Sequence, residues 1–417
     1  MAFDSAVTNS QIAVSNNVQF GEALGNSATN SVQLTAVGAG TSGNDPTAAL
    51  NNAQSGLGAD VAATSEMVLF ANIASSGSMI ALNGNSNTSL GAINNASNTV
   101  SVSGLAIDGA TALASVNVTT NTTTADYALN NNQMASGVVS STAETTAYNL
   151  DNLAADPTTS GILNGSASLS RNTTTAEASS NRVANSLAVS ATDNGATAAI
   201  GNEQISSAGV TATASSSAYT LDLTTTTAAT YAASASSVAI EGNTTTALAR
   251  GNSASNVLNY TATVAFNGVT TAPVSTGPGV ASAGAGILNY QENSGAVAAN
   301  ASSVNYAAGL SGPAIAAAGS ALNSSVSLAN NTASAVAFGN TATNTLTMAT
   351  WSAGIPSSAI SSIQSNGAAV TATATGVSFA MTPTGAASGS MFRNSGNSTV
   401  AQAIGNNSVN SIGGGGM

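Results

Sequence analysis

Three asparagines recur at fixed spacing six times along the chain, and that recurrence limits the fold more than any other feature. With position zero at Asn26, Asn94, Asn181, Asn252, Asn340 and Asn406, another Asn stands nine residues earlier at Asn17, Asn85, Asn172, Asn243, Asn331 and Asn397. A third stands four residues later at Asn30, Asn98, Asn185, Asn256, Asn344 and Asn410. Composition alone does not hold three residues in register six times, so the chain is built from structural repeats.

Parity within the repeat gives its shape. In the segment beginning at Asn243, residues 243, 245, 247 and 249 share one strand face, and Asn252, Ala254, Asn256, Leu258 and Tyr260 share another. Three residues separate the two series, so the chain must turn at Arg250-Gly251, and likewise at Leu24-Gly25, Phe338-Gly339 and Ile404-Gly405. Successive zeros lie three or four multiples of about 22 residues apart, and weaker copies at Asn202 and Asn300 fall in the gaps. The expected fold is all-β: a β-solenoid of roughly 22-residue strand-turn-strand coils, about 19 of them, forming a rod of about 90 Å. Residues 1–8 read as an N-terminal extension, 9–412 as a single solenoid of imperfect repeats, and 413–417 as a flexible Gly-rich tail. Asn-Gly pairs at Asn83, Asn164, Asn194, Asn267 and Asn366 read as further tight turns.

The residue types suit such a stack. An amide carries both donor and acceptor, so identical asparagines one coil apart can bond in a ladder along the axis. A buried amide left unpaired costs about 1–3 kcal/mol, which fixes register where Ala and Val would tolerate a slip. Like charges stacked at ~4.8 Å repel, and only 5% of the residues are charged, against about 25% in an ordinary domain.

The same composition excludes several function classes. The chain has no Cys and no His, which removes disulfides, thiolate and imidazole metal sites and nucleophile–histidine pairs. Its four cations are Arg171, Arg182, Arg250 and Arg393, too few for a nucleic-acid surface. All sixteen acids lie between Asp4 and Glu292, so residues 1–292 carry a formal charge of −13 and residues 293–417 carry +1. No apolar run is long enough to span a membrane, and the start Met1-Ala2-Phe3-Asp4 lacks the features of a signal peptide. The acids form no calcium loop; Asp151 and Asp156 beside Pro157 read as a solvated turn. Expected cofactors and metals are none, and no catalytic group is expected. Trp351 and the seven tyrosines would stack on sugar rings if they faced outward.

The string Gly-Asn-x-Ala, seen in Gly25-Asn26-Ser27-Ala28, Gly251-Asn252-Ser253-Ala254 and Gly339-Asn340-Thr341-Ala342, resembles the curlin repeat of bacterial functional amyloid. Curlin repeats place Gln five before and six after that Asn; here those positions hold Ala247 and Leu258, or Ala335 and Leu346, so Gln ladders are not expected. Over residues 9–412 the chain looks more like the curlin-related holdfast-anchor proteins of stalked alphaproteobacteria, especially their larger D component. The resemblance implies an extracellular structural protein of the bacterial cell surface, a fibre subunit or anchor in biofilm or holdfast adhesion. Its expected partners are itself or homologous subunits end to end, and an extracellular polysaccharide. Two other readings stand beside it: a carbohydrate- or ice-binding solenoid, for which Thr371-Ala-Thr373-Ala-Thr375 is the best string, and a trimeric-autotransporter-like adhesin head.

Overall fold

The computed structural model describes residues 2–36, 47–107, 114–118, 121–151, 162–216, 219–224, 231–266, 272–274, 281–302, 304–312, 319–350 and 357–416. Among these residues there is no helix: the chain is all-β, and its three large sheets are paired in parallel. Thr-rich, Val-rich and alternating sequence favours this state, because branched side chains pack well on a pleated surface.

The first sheet carries the asparagine triplets. Its six strands are Val18–Ala36, Ser86–Ile107, Thr173–Asn194, Thr244–Phe266, Thr332–Thr350 and Ser398–Gly416, in that order. Each zero Asn pairs with the next, Asn26 with Asn94 and on to Asn340 with Asn406. A second six-stranded sheet of five-residue strands, such as Met79–Asn83 and Ser166–Ser170, precedes it in every level. The third sheet returns the chain. Its strands Ala48–Ser76, Tyr127–Asp151, Ala198–Ser206, Ala285–Asn293 and Ser358–Asn366 pair in sequence and face the asparagine sheet. We call the first and third the amide sheet and the facing sheet.

The stacking unit is therefore not a coil of 22 residues. Asparagines that bond across adjacent strands lie 68, 87, 71, 88 and 66 residues apart, so one level takes the whole interval between zeros. The 22-residue spacing instead relates positions on opposite sheets, as between Asn30 and Asn52 or Ser65 and Asn87. Six strands at ~4.8 Å span about 24 Å, against the 90 Å expected of 19 coils.

The corner at Arg250-Gly251 is a bend inside one continuous strand, Thr244–Phe266, and the same holds at Gly25, Gly339 and Gly405. Ala249, Gly251 and Asn252 are all buried, so the parity shift read from the sequence occurs within the ladder. A Cβ on Gly251 would sit 2.3 Å from the Gly339 carbonyl oxygen, which explains the small residue. The sharp corners lie elsewhere. They flank each short strand with a left-handed residue: Asn9, Gly77, Asn164, Ala235, Asn323 and Gly389 on one side, and Asn16, Gly84, Arg171, Gly242, Asn330 and Gly396 on the other.

Neither terminus behaves as the sequence suggested. Ala2–Thr8 pairs with Phe70–Ser76, so the expected extension is a strand of the facing sheet. Gly413–Gly416 pairs with Thr347–Thr350, so the expected flexible tail ends the last amide strand. Pairing satisfies backbone donors and acceptors whatever the side chain, and glycine does not prevent it.

Three apolar tiers lie between the sheets. Leu187, Val189, Leu258 and Tyr260 pack on Leu129, Ile200 and Ile287. A thin tier of Ala176, Ala178, Ala247 and Ala249 meets Ala212, Ala214, Ala299 and Ala301. The third holds a ring stack, Tyr219 on Tyr306 at 4.8 Å and Tyr306 on Phe379 at 5.1 Å between centroids.

Candidate functional site: the amide ladders and the open ends

Every one of the eighteen asparagines expected to stack does so. The nine-before ladder runs Asn17 to Asn85, Asn172, Asn243, Asn331 and Asn397 with Nδ2–Oδ1 distances of 2.8–3.0 Å. Each Oδ1 also accepts the backbone N–H of the Asn one level earlier, as Asn243 does from Asn172 at 3.0 Å. From Asn85 onward each ladder Nδ2 also donates to a carbonyl, as from Asn172 to Leu82 at 2.8 Å. The zero and four-after ladders run at Nδ2–Oδ1 distances of 2.7–2.9 Å. Asn94, Asn181, Asn252 and Asn340 give their second Nδ2 hydrogen to a carbonyl of the facing sheet, and Asn30, Asn98 and Asn256 give theirs to a facing asparagine Oδ1.

The interior twelve, Asn85, Asn94, Asn98, Asn172, Asn181, Asn185, Asn243, Asn252, Asn256, Asn331, Asn340 and Asn344, are all buried. At the C-terminal end Asn406 and Asn410 are exposed, and at the other end Asn17 is. Among the described residues the outermost strands pair on one side only, which leaves backbone groups and ladder amides open at both ends.

A second set of ladders faces the first. Asn52, Asn131, Asn202 and Asn289 stack with Nδ2–Oδ1 distances of 2.7–2.8 Å, and Gln54, Gln133, Gln204, Gln291 and Gln364 with Nε2–Oε1 distances of 2.6–2.7 Å. The absence of Gln ladders expected from the amide strands is thus corrected: the glutamines sit on the opposite sheet. Their signal was present as Asn-x-Gln, repeated at intervals of 79, 71 and 87 residues. Asn300, expected as a weaker zero, is a half-exposed outward residue beside Thr213 and Thr373; Asn289 holds the position instead.

The asparagine and glutamine ladders have opposite polarity. Asparagine amides donate toward the C-terminal end, whereas each glutamine donates toward the N-terminal end, as Gln204 does to Gln133. The glutamines also tie the sheets together, since Gln204 Nε2 reaches the Ser253 carbonyl at 3.0 Å.

Three charged residues of both signs meet at one place. On the outer side of the bend, Glu177 pairs with Arg250 and with Arg182 at 3.6 Å, in a groove of about 770 Å³ lined by small residues such as Ser97, Ala184 and Ser255. Tyr127, Tyr219, Tyr260 and Tyr306 are buried, while Tyr231 and Tyr290 are half-buried. Burial holds the Tyr260 and Tyr306 hydroxyls well above the usual phenol range, and burial with a hydrogen bond to Glu292 pushes Tyr290 up to about 12. Trp351, Asp156, Pro157 and Asn267 lie outside the described residues, as do the side chains of Tyr148 and Asp151. Among the described residues no group of three or more His, Cys, Asp or Glu could hold a metal ion, and no helix is long and apolar enough to cross a membrane. No family model matches the chain, and neither a curated protein nor a solved structure matches it significantly.

Proposed function

We propose that this chain is an extracellular structural protein, a β-solenoid that builds or anchors a bacterial surface fibre through its open ends and performs no catalysis. The observation that carries the reading is the contrast along the ladders: interior amides are buried and bonded to a ladder neighbour on both sides, while the outermost strands have a neighbour on one side only. A protein whose every level templates the next needs only a further strand to continue. The Gly-Asn-x-Ala string and the stacked Asn and Gln amides support likeness to curlin repeats and to the holdfast-anchor class. The charge difference between residues 1–292 and 293–417 favours one orientation of association. The test is to replace Asn406, Asn410 and Ile412 with lysines and compare fibre formation and cell attachment. Unchanged assembly in a folded variant would overturn the reading.

The groove at Arg182 favours a second reading, a binding module for an anionic chain such as an acidic polysaccharide. Glu177 Oε1 is shared by two guanidiniums, which leaves net positive charge beside hydroxyl-bearing walls. Loss of glycan binding in Arg182→Ala with assembly intact would separate it from the first. An ice-binding face has less support, because Thr371, Thr373 and Thr375 neighbour Ala298, Asn300 and Ser302 rather than more threonine.

A further inference from the structure

The two sheets that enclose the core do not hold the same number of strands. The amide sheet has six and the facing sheet five at the level of its Asn-x-Gln segments. Facing strands interleave with amide strands, each bonding to the one before and the one after. Asn252 Nδ2 reaches forward to the Glu292 carbonyl at 2.8 Å, and Gln291 Nε2 reaches on to the Thr341 carbonyl at 2.9 Å.

The last amide strand, Ser398–Gly416, has only the facing strand before it. Gln364 Nε2 reaches the Asn407 carbonyl at 3.0 Å, as its counterparts do. Nothing among the described residues follows. Asn406 Nδ2 accordingly turns back to the Gln364 carbonyl at 3.4 Å, where Asn340 reaches forward to Ser365 at 2.7 Å. The strands Ser358–Asn366, Val370–Thr375 and Ser378–Thr384 each pair on one side alone.

We propose that this step is a slot for one extended strand supplied by a separate polypeptide of the same repeat class, added in parallel register along residues 358–379. Its chemistry follows from the strands already stacked there. It carries Asn over Ser362 and Gln over Gln364, as Asn289 and Gln291 do on the other side. Small apolar residues follow over Val370, Ala372 and Ala374, then an aromatic ring over Phe379 to extend the stack with Tyr306. Its backbone carbonyl after the Gln takes the Asn406 amide that now lacks a forward acceptor.

An intact second copy does not fill the slot. Its first facing strand, Ala48–Ser76, comes after Val18–Ala36 in the chain and bonds to it through Asn30 and Asn52. Setting Ala48–Ser76 on Ser358–Asn366 would drive Val18–Ala36 into the place of Ser398–Gly416. Copies stacked end to end therefore leave a gap one strand high over residues 358–379, where it meets the second copy's Ala2–Thr8, which already covers its own Phe70–Ser76, and the guest strand closes it. This inference rests on the reading of the open ends as assembly surfaces, and it names what must join them.

The test uses the full chain at a concentration where it stays monomeric, with a synthetic peptide of residues 198–224, which has the required pattern. Hydrogen exchange at residues 358–384 is expected to slow roughly tenfold or more on adding peptide, with no change along 48–69. Peptides bearing Asn202→Lys and Gln204→Lys are expected not to protect. No protection, or equal protection of both edges, overturns the slot. Fibres that form without peptide and protect residues 358–379 by themselves overturn it too, while leaving the assembly reading intact. Capture of the peptide by a protein that never assembles or attaches sustains the slot and removes that reading.

Discussion

Nδ2 of Asn94 donates to Oδ1 of Asn181 at 2.8 Å and to the Met134 carbonyl at 2.8 Å, so an amide that meets its partner 87 positions further along the chain spends both hydrogens. Asn181 in turn bonds to Asn252 and to the Ile205 carbonyl. Asn94 and Asn181 thus each join neighbouring levels and two sheets, and the loss of either is felt by several partners.

Asn181→Ala leaves the Asn94 donor and the Asn252 acceptor buried without partners. A loss of about 3 kcal/mol is expected, read as a lower urea midpoint. Asn406→Ala, at an exposed end, is expected to cost less than about 1 kcal/mol in the unassembled protein. Equal costs at the two positions would contradict the ladder account.

The left-handed corners give a test with opposite signs at equivalent places. Arg171 and Ala235 hold φ of 56° and 46°, where a Cβ is strained, so Arg171→Gly and Ala235→Gly should each stabilise by about 1 kcal/mol. Gly242 occupies the corresponding corner at φ 65°, and a Cβ there would meet nothing closer than Arg171 Cγ at 3.8 Å. Gly242→Ala should therefore cost about 1 kcal/mol from backbone strain alone. Thermal midpoints of the three variants decide it.

Glu66 and Glu144 pair on adjacent strands and both are exposed, an exception to the avoidance of stacked charge. Glu144→Gln removes the repulsion and should raise stability by about 0.5 kcal/mol at low salt. The gain should shrink at high salt, where the charges are screened. A gain independent of salt would point to another cause.

Alkaline pH should destabilise the fold through its tyrosines. Tyr260 and Tyr306 are held neutral when folded but ionise near the ordinary phenol value of 10.0 when unfolded. Their contribution is complete below that value and declines as pH rises above it, by about 1.4 kcal/mol per pH unit for each. Phenolate absorbance is expected to appear together with loss of strand signal. Tyr260→Phe and Tyr306→Phe should flatten the decline, and an unchanged slope in both would sink this account.

The sequence by itself determined that the eighteen repeat asparagines stack, and the all-β class. Parity and a register kept six times follow from the strand period, and any ladder of Asn181 with Asn252 must obey them. It also placed a parity shift at Gly251, because a strand cannot move two series to one face without an irregular residue. Only the tertiary structure decided the level. Spacings of 66–88 residues are close to multiples of 22, so the sequence fits both a short coil and a long one; the choice depends on whether the asparagines or the intervening segments lie in adjacent strands. Cross-sheet contact made that choice. It placed Gln204 and Gln291 opposite the asparagines, turned Asn300 outward, and paired Gly413–Gly416, whose side chains give no signal. The one-strand step at the C-terminal end was likewise invisible, since counting strands on two sheets requires knowing which segments face each other.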